Sequence, residues 1–119
     1  VSTDPPPLTL AQAVHRAAQA VDPDGADADV AELLLRFEDR DEPIASVVDV
    51  EEQMAEAVRS LDVDGENPAL TLAGAVVTYL AFRRDEADED PQRLLHLAAD
   101  AEFDGRPPPA VAAFLAGDS

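Results

Sequence analysis

An all-α fold of about six helices, gathered into one compact bundle, is what this chain predicts. Three observations carry that prediction. Apolar residues recur at helical spacing in stretch after stretch, and cap residues stand in front of most stretches. Acidic turns ending in glycine separate the stretches: "DPDG" at 22–25, "DVDG" at 62–65 and "EFDG" at 102–105. A chain of 119 residues, 46% of them hydrophobic, is long enough and apolar enough for a single core.

Residues 1–7 read as a flexible N-terminal arm, because Pro5, Pro6 and Pro7 favour extended polyproline geometry. Residues 8–117 form the domain. Thr9 with Gln12 makes a capping box, and Leu10, Val14, Ala17, Ala18 and Val21 then share one face of the first helix. "DPDG" ends it. Asp27 caps the second helix, whose stripe is Val30, Leu33, Leu34 and Phe37. Pro43 breaks the chain, and the "IASVVD" after it fits either a short extended piece or a packed loop. Asp49 with Glu52 predicts another capping box, opening a third helix striped by Val50, Met54, Ala57, Val58 and Leu61.

Asn67 followed by Pro68 supplies a cap and a first-turn proline for the fourth helix. From Pro68 to Phe82 that helix carries no charge, yet it falls short of the roughly 18 residues of a membrane span. It is the expected central helix, with Arg83 and Arg84 opposing the dipole at its C-terminus. "DEADED" reads as a solvated linker. Asp90 and Pro91 repeat the cap-then-proline device, and Leu94, Leu97, Ala98 and Ala101 form the expected stripe of helix five. A short sixth helix spans about 108–116, with Val111, Phe114 and Leu115 inward and Gly117 just past its end.

The three turn glycines, Gly25, Gly65 and Gly105, are spaced by 40 residues each time. Shifting the chain by 40 also aligns Val14 with Met54 and Leu94, Val21 with Leu61 and Ala101, and Asp27 with Asn67. The sequence therefore admits a reading as three helical hairpins, 8–42, 49–84 and 90–117. As calcium loops the turns fail. With each glycine at loop position 6, position 12 becomes Ala31, Thr71 and Val111, and none of these closes the site with a carboxylate. Glycine in the left-handed conformation, ending one helix before the next, explains these residues better.

Charge and composition bound the function. Eight arginines and no lysine oppose 26 carboxylates, for a formal charge of −18. Nucleic acid and acidic membranes need clustered cations, so neither is an expected ligand. The absence of cysteine excludes disulfides, thiolate metal sites and thiol catalysis. "VSTDPPPLTL" contains no signal-peptide pattern, and the cytoplasm is the expected location. His15 and His96 stand without second ligands at metal spacing, so neither a metal nor a cofactor is expected. No serine lies in a nucleophile elbow and no glycine-rich loop follows a strand, which argues against an enzyme.

What remains is a non-catalytic protein–protein interaction or regulatory module with an acidic surface, its partner basic or helical and a homodimer left open. Glu51, Glu52 and Glu56 on the third helix are the expected interaction face. Two other classes fit the composition: an acidic inhibitor of the immunity or nucleic-acid-mimic kind, and a small-molecule-binding bundle or remote enzyme. The last needs a pocket near Thr78, Tyr79 and Phe82. Salt adaptation of the whole surface is the competing cause of the acidity.

Overall fold

The computed structural model describes residues 8–64, 67–82 and 90–116. Six α-helices lie among them: α1 (Leu10–Val21), α2 (Ala28–Phe37), α3 (Val50–Leu61), α4 (Pro68–Phe82), α5 (Pro91–Phe103) and α6 (Pro109–Leu115). The all-α expectation holds. The N-terminal arm, Gly65, Arg83, Arg84, most of the acidic linker and Gly117 lie outside the described residues.

The start of α1 shows how local chemistry sets the architecture. The first amides of any helix lack an intrahelical partner. Gln12 N donates to Thr9 Oγ1 at 3.1 Å and Gln12 Oε1 accepts from Thr9 N at 3.0 Å, so the expected capping box is formed. Leu10 N and Ala11 N donate instead to the Glu42 and Arg40 carbonyls, both at 3.0 Å. The segment after α2 therefore runs back antiparallel to the entry of α1, with a single bridge between Thr9 and Pro43. It is stiffened by Arg40, whose Nε donates to both Glu42 carboxylate oxygens and whose guanidinium lies 5.7 Å from the Phe37 ring centre. That contact holds the Glu42 carboxyl below its usual range. The ambiguous "IASVVD" is then resolved as a packed turn: Ile44–Ser46 forms a 3-10 turn and Ile44 is buried.

Two turns are built alike. Asp22 ends α1, and its carboxylate accepts from Ala26 N at 3.0 Å and from Asp27 N at 2.8 Å. Forty residues on, Asp62 ends α3 and accepts from Asn67 N at 2.8 Å. The helices before these turns are both 12 residues long, and those after them begin at Ala28 and Pro68. Gly25 takes φ +67°, the left-handed conformation that costs a side chain energy. The third turn departs from this pattern. α5 runs on to Phe103, and Asp104 and Gly105 are both left-handed, at φ 53° and 77°. Its register puts Pro107 where the other turns use an amide, and proline has no N–H to donate.

The caps of α2 and α4 meet. Asp27 accepts from the Asp29 and Val30 amides of its own helix, and Asn67 Oδ1 accepts from Leu70 N at 3.2 Å. Asn67 Nδ2 then donates to Asp27 Oδ1 and Oδ2 at 3.2 and 3.1 Å and to Asp29 Oδ2 at 3.1 Å. One amide thus joins the first hairpin to the second. The expected box at α3 is not formed: Asp49 makes no side-chain cap bond there. Its carboxylate is engaged one turn further on by Gln53 Nε2 at 2.8 Å.

α4 is central, as its uncharged sequence predicts. Nine of its 15 residues are buried, and it packs against α1, α3, α5 and α6. Gly74 permits the approach of α3, since a Cβ there would lie 3.1 Å from Val58 Cγ2. The α5 stripe is rotated from the expected one. Leu94, Leu95, Ala98 and Ala99 are buried, whereas Leu97 is half-buried and Ala101 exposed. The reason is that α5 packs on both α4 and α1, so two adjacent faces are covered instead of one. The radius of gyration of 13.6 Å agrees with about 13.5 Å for a compact chain of this length.

Candidate functional site

Two helices that flank a third while scarcely packing on each other leave a groove over it. α3 and α5 both pack on α4 but scarcely on each other, and along the strip of α4 between them Thr71 and Thr78 stay partly exposed and Phe82 exposed, while Gly74 and Ala75 are buried at the bottom of the groove. The strip carries Thr71, Gly74, Ala75, Thr78 and Phe82, positions that share one helical face. Three hollows of about 150, 330 and 350 Å³ follow one another along it, neighbouring ones sharing Glu51, the last two also Phe82.

The floor is apolar in effect. Thr78 Oγ1 donates to the Gly74 carbonyl at 3.0 Å and Thr71 Oγ1 to the Asn67 carbonyl at 3.3 Å, so both hydroxyls are engaged within α4. The walls are acidic, with Glu51 contributed by α3 and Glu102 by α5. Glu102 is exposed at its outer edge, but burial against the trough, followed by the Glu51 charge, pushes its carboxyl above the ordinary value of 4.5. At the Phe82 end the mouth is hydrophobic and open: Phe82 is 75% exposed and Val48 99%.

The three carboxylates expected as one face are separated. Glu51 walls the trough and Glu52 stands at its Phe82 end beside Asp49. Glu56 faces the other way, into a cleft against α2 with Arg36 and Arg40. Helical geometry explains the split, since Glu51 and Glu52 are about 100° apart around α3. Glu102 was absent from the expected face. Nothing local marks it in the sequence, because its importance comes from a residue 51 positions away.

A related trough lies between α1 and α2, about 530 Å³ and lined by Ala11, His15, Ala31, Leu34, Leu35 and Glu38. Adding 40 to these numbers gives Glu51, Ala55, Thr71, Gly74, Ala75 and Thr78, and all six line the first hollow beside α4. The two hairpins therefore carry the same cleft. In the first, leucines occupy the positions held by Gly74 and Ala75 in the second. His15 and His96 are both exposed and lie on different helices, α1 and α5. Among the described residues no helix is long and apolar enough to cross a membrane, and no group of three His, Asp or Glu is placed to hold a metal.

Comparison with family models, with curated proteins and with solved structures gives no match to this chain.

Proposed function

We propose that this chain is a non-catalytic protein–protein interaction or regulatory module of the cytoplasm that receives a basic partner. The observation that carries the reading is the apolar trough along α4 with Glu51 and Glu102 on its two walls. The uneven placing of charge supports it. α1, α4 and α6 contain no carboxylate, whereas α2 carries Asp29 and Glu32, α3 carries Glu51, Glu52 and Glu56 and α5 carries Asp100 and Glu102. Acid placed on the outer helices and kept off the central one favours and steers a cationic partner. A second reading, a small-molecule-binding bundle, is favoured by the hollow of about 330 Å³ at Thr78, Tyr79 and Phe82. That volume is at the lower edge of ligand pockets, and the hollow opens into its neighbours instead of enclosing a ligand.

Affinity capture from native lysate, with salt varied in the wash, followed by association kinetics on the captured protein, tests the reading. Capture is expected to weaken as salt rises. Glu51→Gln with Glu102→Gln is expected to speed dissociation, and Glu52→Gln with Glu56→Gln to slow association only. A partner indifferent to salt and to both pairs of substitutions overturns the proposal. A small molecule that co-purifies with the protein and is lost on Thr78→Arg favours the second reading.

A further inference from the structure

The groove between α1 and α2, at about 530 Å³, is larger than each of the three hollows beside α4. Ala31, Leu34, Leu35 and Glu38 stand at i, i+3, i+4 and i+7 on α2, one helical face, and Ala11 and His15 stand one turn apart on α1. Leu35 is 58% exposed, Ala31, His15 and Glu38 are exposed, and Ala11 and Leu34 are half-buried. Val30, Leu33 and Phe37 already give α2 its buried stripe, so this second stripe is apolar surface that folding does not use. The matching face of the second hairpin takes α5, whose Ala98 and Ala101 line a hollow together with Ala75 and Thr78. A helix is thus what such a face receives inside this molecule.

Charge selects the occupant. α1 contains no carboxylate and exposes Gln12, His15, Arg16 and Gln19, and Glu38 is the one acid among the described residues that line the groove. A basic partner finds little to pair with here. For two chains of formal charge −18, a face poor in acid permits contact without setting carboxylate against carboxylate. The face is also self-complementary. It carries a projecting leucine beside an apolar hollow, and a hydrogen-bond donor, His15, beside an acceptor, Glu38, as a two-fold contact between identical surfaces demands. We propose that the α1–α2 face pairs with the same face of a second copy in a salt-dependent two-fold dimer. Leu35 of each copy enters the groove of the other, and His15 of each donates to Glu38 of the other. This face is separate from the trough beside α4 on which the basic-partner reading rests. Six lining residues per copy are far fewer than the roughly 20–30 of a standard interface, so the pairing is transient. Repulsion between the two acidic bodies opposes it at low salt and is screened near 1 M, where the Debye length is about 3 Å.

Sedimentation equilibrium and the amide shifts of isotope-labelled protein, followed over protein concentration at about 0.1 and about 1 M sodium chloride, test the dimer. A monomer is expected at the lower salt and association at least about tenfold stronger at the higher, with concentration-dependent shifts confined to 11–15 and 31–38. Leu35→Glu is expected to abolish association while the helical circular dichroism is retained, since the side chain lies largely outside the core. His15→Glu sets a carboxylate against Glu38 of the second copy and is expected to weaken association about tenfold. Adding Glu38→Arg is expected to restore it, whereas adding Glu52→Arg, equal in net charge, is not. Failure of that rescue, or equal rescue by both, overturns the two-fold arrangement. Shifts centred on α3 and α5, or association that weakens as salt rises, overturn it as well. A monomer at both salts up to about 1 mM overturns the dimer and leaves the basic-partner reading standing. Failure to capture any salt-sensitive partner overturns that reading and leaves the dimer standing.

Discussion

Replacing Asn67 by aspartate alters one atom's chemistry at the junction of the two hairpins. The carboxylate still caps α4, since Asn and Asp are equally good caps. The Nδ2 donor, however, becomes an acceptor facing Asp27 at 3.1 and 3.2 Å and Asp29 at 3.1 Å. Two costs add. A hydrogen bond to a charged group is worth about 1.5–3 kcal/mol, and partial exposure places these bonds at the low end. Loss of the amide therefore costs about 2 kcal/mol, which Asn67→Ser measures alone. Like charges about 4 Å apart repel by about 1 kcal/mol in water and about 4 at a protein surface, so two such neighbours add about 2 kcal/mol after side-chain rotation. The aspartate variant should lose about 4 kcal/mol, a large share of the 5–15 kcal/mol typical of a domain. In urea, at roughly 1–1.5 kcal/mol per molar, the midpoint should fall by about 3 M relative to wild type at low salt. Salt near 1 M shortens the screening length to about 3 Å and should recover part of the aspartate deficit, but none of the serine deficit. If the two variants unfold at the same urea concentration in low salt, the three side chains are not in contact and the reasoning fails.

Gly25→Ala should destabilise by about 1 kcal/mol, because alanine must adopt the left-handed backbone at φ +67°; an unchanged denaturation midpoint would mean the turn relaxes. Leu72→Ala, at a side chain with no exposed surface in the central helix, should cost about 2–5 kcal/mol by the same measurement. A loss under about 1 kcal/mol would show that α4 does not hold the core. Glu102 gives a pH signature. Its carboxyl is raised in the fold, so the stability it contributes is complete below the ordinary 4.5 and is lost as pH rises through the raised value. Glu102→Gln should therefore be more stable than wild type at neutral pH and equal to it in acid; parallel pH–stability curves would refute the desolvation.

Much of this molecule was determined by signals that act within a few residues. The Thr9 box, the Asp27, Asn67 and Asp90 caps and the left-handed Gly25 are local chemistry, and each is found where its residues stand. The buried character of α4 was equally legible, because 15 uncharged residues, too few to span a membrane, are best placed among the amphipathic helices that can cover them. Periodicity, by contrast, names a helix's apolar face only to within one neighbour. Leu95 and Ala99 are buried and Ala101 is not, because α1 as well as α4 covers α5, and no residue of α5 encodes that second contact. The Asp49 box failed on the backbone: Asp49 stands at φ −125°, ψ 44° instead of the extended conformation of Thr9 and Asp27, and its carboxylate accepts from Gln53. Only the tertiary structure decided the site. Glu51 was singled out for its charge, but its facing carboxylate comes from another helix, and the trough exists because α3 and α5 flank α4 while scarcely packing on each other. A gap between helices belongs to their arrangement in space, and spacing along one helix carries no record of it.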